Sequence, residues 1–196
     1  MRVKTVWFKR AHQPRPASQT GSVLALTIWR LAEQAVAGLS RAGYDIVTPE
    51  RGLRILAEMD AFLLHAADRL LYRRVPEAER AGLLQACGSR LAEIMKQNVH
   101  ELSGDDGFDY RASFIDLLNR RGTEYAAIAG DASGFPLRRQ LASCVRELML
   151  EGDRHWITDQ VMESEAPRAL ATLERAIDGF YPPPAATAPE RQKASD

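Results

Sequence analysis

One acidic residue, Asp60, lies in the middle of an apolar stripe on a long helix that the sequence predicts at Pro49–Arg74. At about 100° per residue, Leu53, Leu64 and Leu71 fall on the same side of this helix as Asp60. A second side is also apolar, which is typical of a buried helix. A buried carboxylate has to be paired, hydrogen-bonded or neutral. Asp60 is therefore the first candidate for chemistry beyond packing.

Two further predicted helices carry a polar side chain inside their apolar stripe, Asn98 on the third and Arg121 on the fourth. An interior carboxylate and an interior guanidinium make each other tolerable. We therefore predict a buried polar cluster in which Asp60 pairs with Arg121, and Asn98 fills leftover lone pairs. The alternative is that these three groups line a cavity between helices, where a few polar groups orient a small molecule.

A second pattern has the side chains of a metal site. Glu151, His155 and Asp159 follow at four-residue spacing, which stacks them on one side of a continuous helix. Imidazole and carboxylate groups are ligands for divalent transition metals, and His65 and Asp68 could complete the site from the second helix. No histidine has a glutamate three residues before it, so the paired Glu-x-x-His motif of diiron bundles is absent. The alternative is a solvated charged face with no cofactor.

Aromatic residues at both ends of the chain predict an interface: Trp7 and Phe8 near the start, and Phe180 and Tyr181 near the end. Aromatic side chains anchor protein interfaces, so we expect self-association, as a homodimer, or a protein partner. The first segment also carries several basic residues. A nucleic-acid partner is not expected, because 26 basic residues balance 26 acidic ones and no known reader motif is present.

Motifs of common catalytic sites are missing from the sequence. There is no glycine-rich phosphate loop, no Gly-x-Ser-x-Gly turn and no Cys-x-x-Cys pair. No serine or cysteine stands at an informative spacing from a histidine. Because nothing nominates a nucleophile or a general base, we do not expect an enzyme.

The elements that position these residues are helices. Thr48 is a capping residue with Pro49 after it, so the second helix begins there. The fifth helix begins near Pro136 and is predicted to continue past Gly152 to about Glu163, and a sixth opens at Pro167. Apolar periodicity places the remaining helices at about residues 22–40, 77–102 and 109–129.

Length and composition fit one domain. The chain has 196 residues, of which 45% are hydrophobic, enough for a real core. We predict an all-α, single-domain bundle of about six helices around a central, mostly buried second helix. Residues 1–17 form a basic arm or short strand, residues 18–180 the bundle, and residues 181–196 a disordered tail rich in proline and alanine.

A cytoplasmic location is expected. The two cysteines, Cys87 and Cys144, fall on apolar helical positions, as reduced core thiols do. No apolar stretch is long enough to span a bilayer, and no secretory signal is recognised at the start. The sequence thus predicts a non-enzymatic bundle that acts by protein association. The alternative is a bundle that binds a metal or small ligand through carboxylates and histidines on facing helices.

Overall fold

The described part of the chain is built from helices. The structure, a computed structural model, describes residues 16–46, 48–72, 74–104, 106–130 and 134–182, and within these ranges it has no β-strand. The predicted arm at 1–17, with Trp7 and Phe8, falls almost wholly outside the described residues. The predicted tail at 181–196 lies outside them from residue 183 onward.

Within the described ranges, five long helices and one interrupted C-terminal rod make up the bundle, which confirms the predicted all-α, single-domain architecture. In the rod, a π turn at Val161–Glu165 joins a short helix to the last one. A 3₁₀ turn at Glu151–Asp153 precedes the rod. The helices are α1 Ala17–Arg41, α2 Pro49–Leu71, α3 Glu77–Ser103, α4 Tyr110–Ala126, α5 Phe135–Leu148, α6 Ile157–Gln160 and α7 Ala166–Phe180.

Local sequence signals set several helix ends. The side chain of Thr48 accepts a hydrogen bond from the backbone N–H of Arg51 at 3.2 Å, and Asp109 caps α4 in the same way. Such caps satisfy amide groups that have no partner inside the helix. At the other ends, Gly43 and Gly104 have positive φ angles of 91° and 73°, a conformation that glycine adopts at little cost.

The second helix is the centre of the bundle, as predicted. α2 contacts α1, α3, α4, α5 and α7, and every residue from Ile55 to Leu63 is buried. A helix buried on all sides is one whose polar residues require an explanation. None of the helices in the described ranges is long and apolar enough to cross a membrane.

The predicted continuation of α5 past Gly152 is wrong. α5 ends at Leu148, because Met149 has an extended backbone and buries its side chain. The freed carbonyl of Met149 accepts a hydrogen bond from Arg154 Nε at 3.0 Å. The 3₁₀ turn that follows is tied to the α1–α2 connection, since the Asp45 backbone N–H donates to Asp153 at 2.9 Å.

α7 begins at Ala166, one residue before the helix start that the sequence predicts at Pro167, but α6 and the π turn precede it without a break in the C-terminal rod. A proline within a helix removes one backbone hydrogen bond and crowds the preceding turn. The π turn at Val161–Glu165 ends two residues before Pro167 and widens the helix at this place. Arg138 of α5 supplies a replacement donor, because its Nη1 lies 2.7 Å from the carbonyl oxygen of Met162.

Candidate functional site

Asp60 is fully buried, as predicted, but the predicted pair with Arg121 is wrong. Among the described residues, neither carboxylate oxygen of Asp60 has a hydrogen-bond partner. Burial, and to a lesser degree the nearby Glu33 of α1, raises the pKa of Asp60 well above its usual 3.8. Asn98 is also separate, because its amide donates to the Ile94 carbonyl of its own helix at 2.9 Å. The three residues therefore do not form the predicted cluster.

The guanidinium of Arg121 instead binds Glu58, an acid that the sequence analysis did not place with it. Arg121 Nε and Nη2 lie 2.7 and 2.8 Å from the two Glu58 oxygens, and Nη1 lies 2.7 Å from Glu124. Glu58 and Asp60 are two residues apart, so at 100° per residue they point to nearly opposite sides of α2. α4 packs on the Glu58 side.

Glu58 of this ion pair, but not Arg121, lines a cavity among α2, α3, α4 and α5. The cavity has a volume of about 490 Å³, within the usual range for sites that hold small molecules. Glu58 contributes the buried charged side chain of the lining. Most other lining side chains are apolar, among them Leu53, Ala57, Met95, Val99, Phe114 and Leu117.

The mouth of the cavity is polar and partly aromatic. Arg54 and Arg120 are exposed there and have no partner among the described residues. The exposed acids Glu50 and Asp116 and the hydroxyls of Ser103 and Ser113 also line the cavity. Phe108 is exposed and makes an edge-to-face contact with Tyr110, with ring centroids 4.7 Å apart. The cavity thus combines an apolar interior with a charged entrance.

The predicted metal residues of the fifth helix do not share a helix. Glu151 lies in the 3₁₀ turn, His155 in the connection after it and Asp159 in α6, and all three side chains are exposed. The stacking that the four-residue spacing predicts therefore does not occur. In the described ranges, no group of three or more His, Cys, Asp or Glu residues could hold a metal ion.

His65 and Asp68, the predicted ligands on α2, have other partners. His65 Nε2 accepts a hydrogen bond from Arg69 Nε at 2.8 Å, and the ring stacks on Tyr125. Burial and the charge of Arg69 lower the pKa of His65 to about 4, so the ring is neutral. Asp68 pairs with Arg80. A metal would have to displace both cationic partners.

Arg69 explains the position of His65. Its guanidinium donates to the carbonyl groups of Tyr125, Ile128 and Gly130, which follow or end α4. The last carbonyl groups of a helix have no partner within it, and a cationic side chain there satisfies them. His65 and Arg69 therefore join the end of α4 to α2, which is a structural role.

The C-terminal aromatic residues predicted as interface contacts are partly buried in the bundle. Arg74 Nη1 donates to the Tyr181 carbonyl at 3.2 Å, and the Tyr181 hydroxyl lies 3.3 Å from Glu79 Oε1. Phe180 is half-buried beside it. Tyr181 thus has contacts within its own chain.

Because Asp60 lacks a partner, we predict that Asp60→Asn stabilises the fold at neutral pH. The raised pKa means that the folded state holds a proton which the unfolded chain releases above about 3.8, so the wild type loses stability as pH rises through that region. The advantage of Asp60→Asn, measured by urea unfolding, should shrink as pH falls toward 3.8. The lowered pKa of His65 reduces the stability of the folded protein as pH falls below 6.5. Because His65 is present in both proteins, this effect cancels in the difference between them.

The control for this prediction is Asp116→Asn, which removes an exposed carboxylate. Exposed substitutions of this kind change stability by less than about 0.5 kcal/mol. A loss of stability in Asp60→Asn at every pH would show that the carboxylate of Asp60 has a partner after all.

The chemistry available at the cavity is that of binding. Glu58 is neutralised by Arg121, and burial raises the pKa of the nearby Cys144 thiol to about 12, which keeps that thiol protonated and unreactive. Apolar side chains line much of the interior, and the rim offers guanidinium, carboxylate and hydroxyl groups that can bond to a polar end of a ligand. No protein-family model, no curated protein sequence and no solved structure matches this chain.

Proposed function

We propose that the protein binds a small amphipathic molecule in the cavity among α2, α3, α4 and α5. The observation that carries this proposal is a 490 Å³ space that is lined mainly by apolar side chains and includes the buried Glu58, which Arg121 holds in place. An apolar body of the ligand would remove these walls from water, at about 25 cal/mol per Å² of apolar area. The sequence also predicts a ligand cavity as one alternative, but around Asp60, Asn98 and Arg121, whereas this cavity is lined by Glu58 and its apolar neighbours.

The polar end of the ligand lies at the rim in this proposal. Arg54 and Arg120 have no partner in the described ranges, while Arg121 already bonds to Glu58 and Glu124. A guanidinium that is exposed and unpaired can turn toward a ligand at little cost, whereas a buried pair cannot be opened cheaply. Arg121 therefore fixes the position of Glu58 in the lining, and the polar side chains of the rim orient the ligand.

The test uses anilinonaphthalene sulfonate, a fluorescent probe with an aromatic body and one anionic group. We predict saturable binding by the wild type and about a tenfold weaker binding by Ser113→Trp, a loss of about 1.4 kcal/mol. Ser113 is exposed at the mouth of the cavity, so a tryptophan there blocks entry without disturbing the core. Fluorescence titration of the folded proteins measures both affinities.

The matched control is Ser143→Trp, because Ser143 is exposed on α5 and does not line the cavity. This variant should bind the probe as the wild type does. Equal affinity in all three proteins would place the probe elsewhere and remove the proposal.

Self-association is the second candidate function, and it rests on exposed aromatic residues. Trp156 is 71% exposed, and Tyr72, Phe108 and Phe135 are exposed as well. Large aromatic side chains in contact with water are enriched at protein interfaces. A homodimer or a protein partner would bury Trp156, and Trp156→Ser would then weaken the complex in light scattering. A monomer at high concentration removes the homodimer.

The cytoplasmic location remains part of the proposal. Its support is that Cys87 and Cys144 are free and buried, as expected for a protein of a reducing compartment. Oxidising compartments favour paired cysteines instead. Cell fractionation that finds the protein outside the cytoplasm contradicts it.

A further inference from the structure

A second cavity lies between α1 and α7 and shares no lining residue with the first. Its volume is about 470 Å³. The lining is more polar than that of the first cavity, with Gln34 and Arg41 from α1, and Arg168 and Thr172 from α7. Glu165, the last residue of the π turn, also lines it.

Glu165 is buried at this cavity in a way that stability alone does not explain. Its side chain is 3% exposed, and its oxygens accept hydrogen bonds from Gln160 at 3.0 Å and from Arg168 at 2.7 Å. Burying a carboxylate costs roughly several kcal/mol of stability, and only a partner that is itself removed from water offsets this cost. Arg168 is 61% exposed, and such pairs return about 0–1 kcal/mol.

The surrounding backbone is built around this carboxylate. A Cβ added at Gly38 of α1 would lie 2.4 Å from Glu165 Oε2, so a larger residue there would force the carboxylate out of its present position. The π turn ends at Glu165, and single π turns within helices are frequent at functional sites. These two features place Glu165 where it contacts the guanidinium of Arg168.

The charged groups that remain unpaired in this cavity, among the described residues, are cationic. Arg168 uses one nitrogen on Glu165, and its other N–H groups have no partner in the described ranges. Arg41 has no partner there at all. Two guanidiniums against one carboxylate leave an excess of positive charge. A planar guanidinium matches the paired oxygens of a carboxylate or phosphoryl group.

We propose that this second cavity binds a small oxyanion, a carboxylate or phosphoryl group, between Arg41 and Arg168. Glu165 is a positioning residue: it holds one edge of the Arg168 guanidinium, and the remaining edge faces the ligand. The ligand would neutralise the excess charge of the cavity. This site is independent of the amphipathic site proposed above, because no residue belongs to both.

The first experiment titrates the full-length protein with inorganic phosphate and, separately, with acetate, at matched ionic strength, by isothermal calorimetry. We expect saturable binding of at least one anion, weakened about tenfold by Arg41→Gln and by Arg168→Gln. The control is Arg30→Gln, which removes an exposed arginine of α1 outside the cavity. Absence of saturable binding of both anions, or equal weakening by Arg30→Gln, overturns the proposal.

The second experiment tests the positioning role of Glu165 with a double-mutant cycle. In a Glu165→Gln background, the guanidinium of Arg168 is no longer held by a charged partner. The affinity loss caused by Arg168→Gln should therefore shrink, while the loss caused by Arg41→Gln should stay the same. A general effect of charge would leave both losses unchanged. Equal losses from Arg168→Gln in the two backgrounds overturn the positioning role.

Discussion

Replacing Arg121 by methionine is expected to lower the free energy of unfolding by about 3–5 kcal/mol. The substitution keeps the length of the aliphatic stem but leaves Glu58 as a buried carboxylate with neither of its two hydrogen bonds from Arg121. The loss measures the penalty of an uncompensated buried charge rather than the net value of the pair. Urea unfolding, with the slope checked for two-state behaviour, measures it.

Two further variants make the Arg121 result specific. The double variant Glu58→Leu, Arg121→Met removes both charges and should recover most of the lost stability. Arg120→Met, at the exposed neighbouring position, should stay within about 0.5 kcal/mol of the wild type. A double variant as unstable as Arg121→Met would mean that Glu58 and Arg121 do not act as a pair.

Helical periodicity predicts most of this fold because it depends on neighbours a few residues apart. The burial of α2 follows from its apolar residues on every side, and Thr48 and Gly43 mark ends that local chemistry sets. The end of α5 is a different case. Its sequence keeps a polar face past Leu148, but Met149 turns into the core, and only tertiary contacts decide that.

The partner of Arg121 depends on which side of α2 meets α4. Asp60 has more apolar neighbours on its side of the helix than Glu58 has, so the sequence predicts Asp60 as the buried acid that binds Arg121. Glu58 lies nearly opposite on the helix, and the choice between the two is made by helix packing, which leaves no local signal. The cavity that Glu58 lines is likewise defined by four helices, and no segment of the sequence encodes it alone.

Asp60 and Glu165 are both buried acids, but their surroundings differ. Each is a buried acid that costs stability, but Asp60 has no hydrogen-bond partner in the part of the chain that the structure describes, and it lines neither of the two cavities. Glu165 has two partners and lies beside exposed guanidiniums. A buried acid is therefore informative about function when its surroundings contain both a space and an unsatisfied group of opposite charge.

The second large effect is expected at Gly21 of α1, because the backbone of α3 lies very close to this glycine. Gly21→Ala should destabilise the protein by about 2–3 kcal/mol, even though alanine gains about 1 kcal/mol of helix propensity. The added Cβ would lie 2.5 Å from the carbonyl oxygen of Leu83 and 2.9 Å from the Cβ of Ala86. A backbone oxygen cannot rotate away as a side chain can, so one helix has to move.

Gly122→Ala is the matched control because Gly122 lies inside α4 with nothing within 4 Å of an added Cβ. It should stabilise the protein by about 0.5–1 kcal/mol, since glycine is costly within a helix. The two glycine substitutions are chemically identical and are expected to have opposite signs. Thermal or urea unfolding measures the change in stability for both variants. If Gly21→Ala also stabilised the protein, α1 and α3 could not lie as close together at Gly21 as the structure places them.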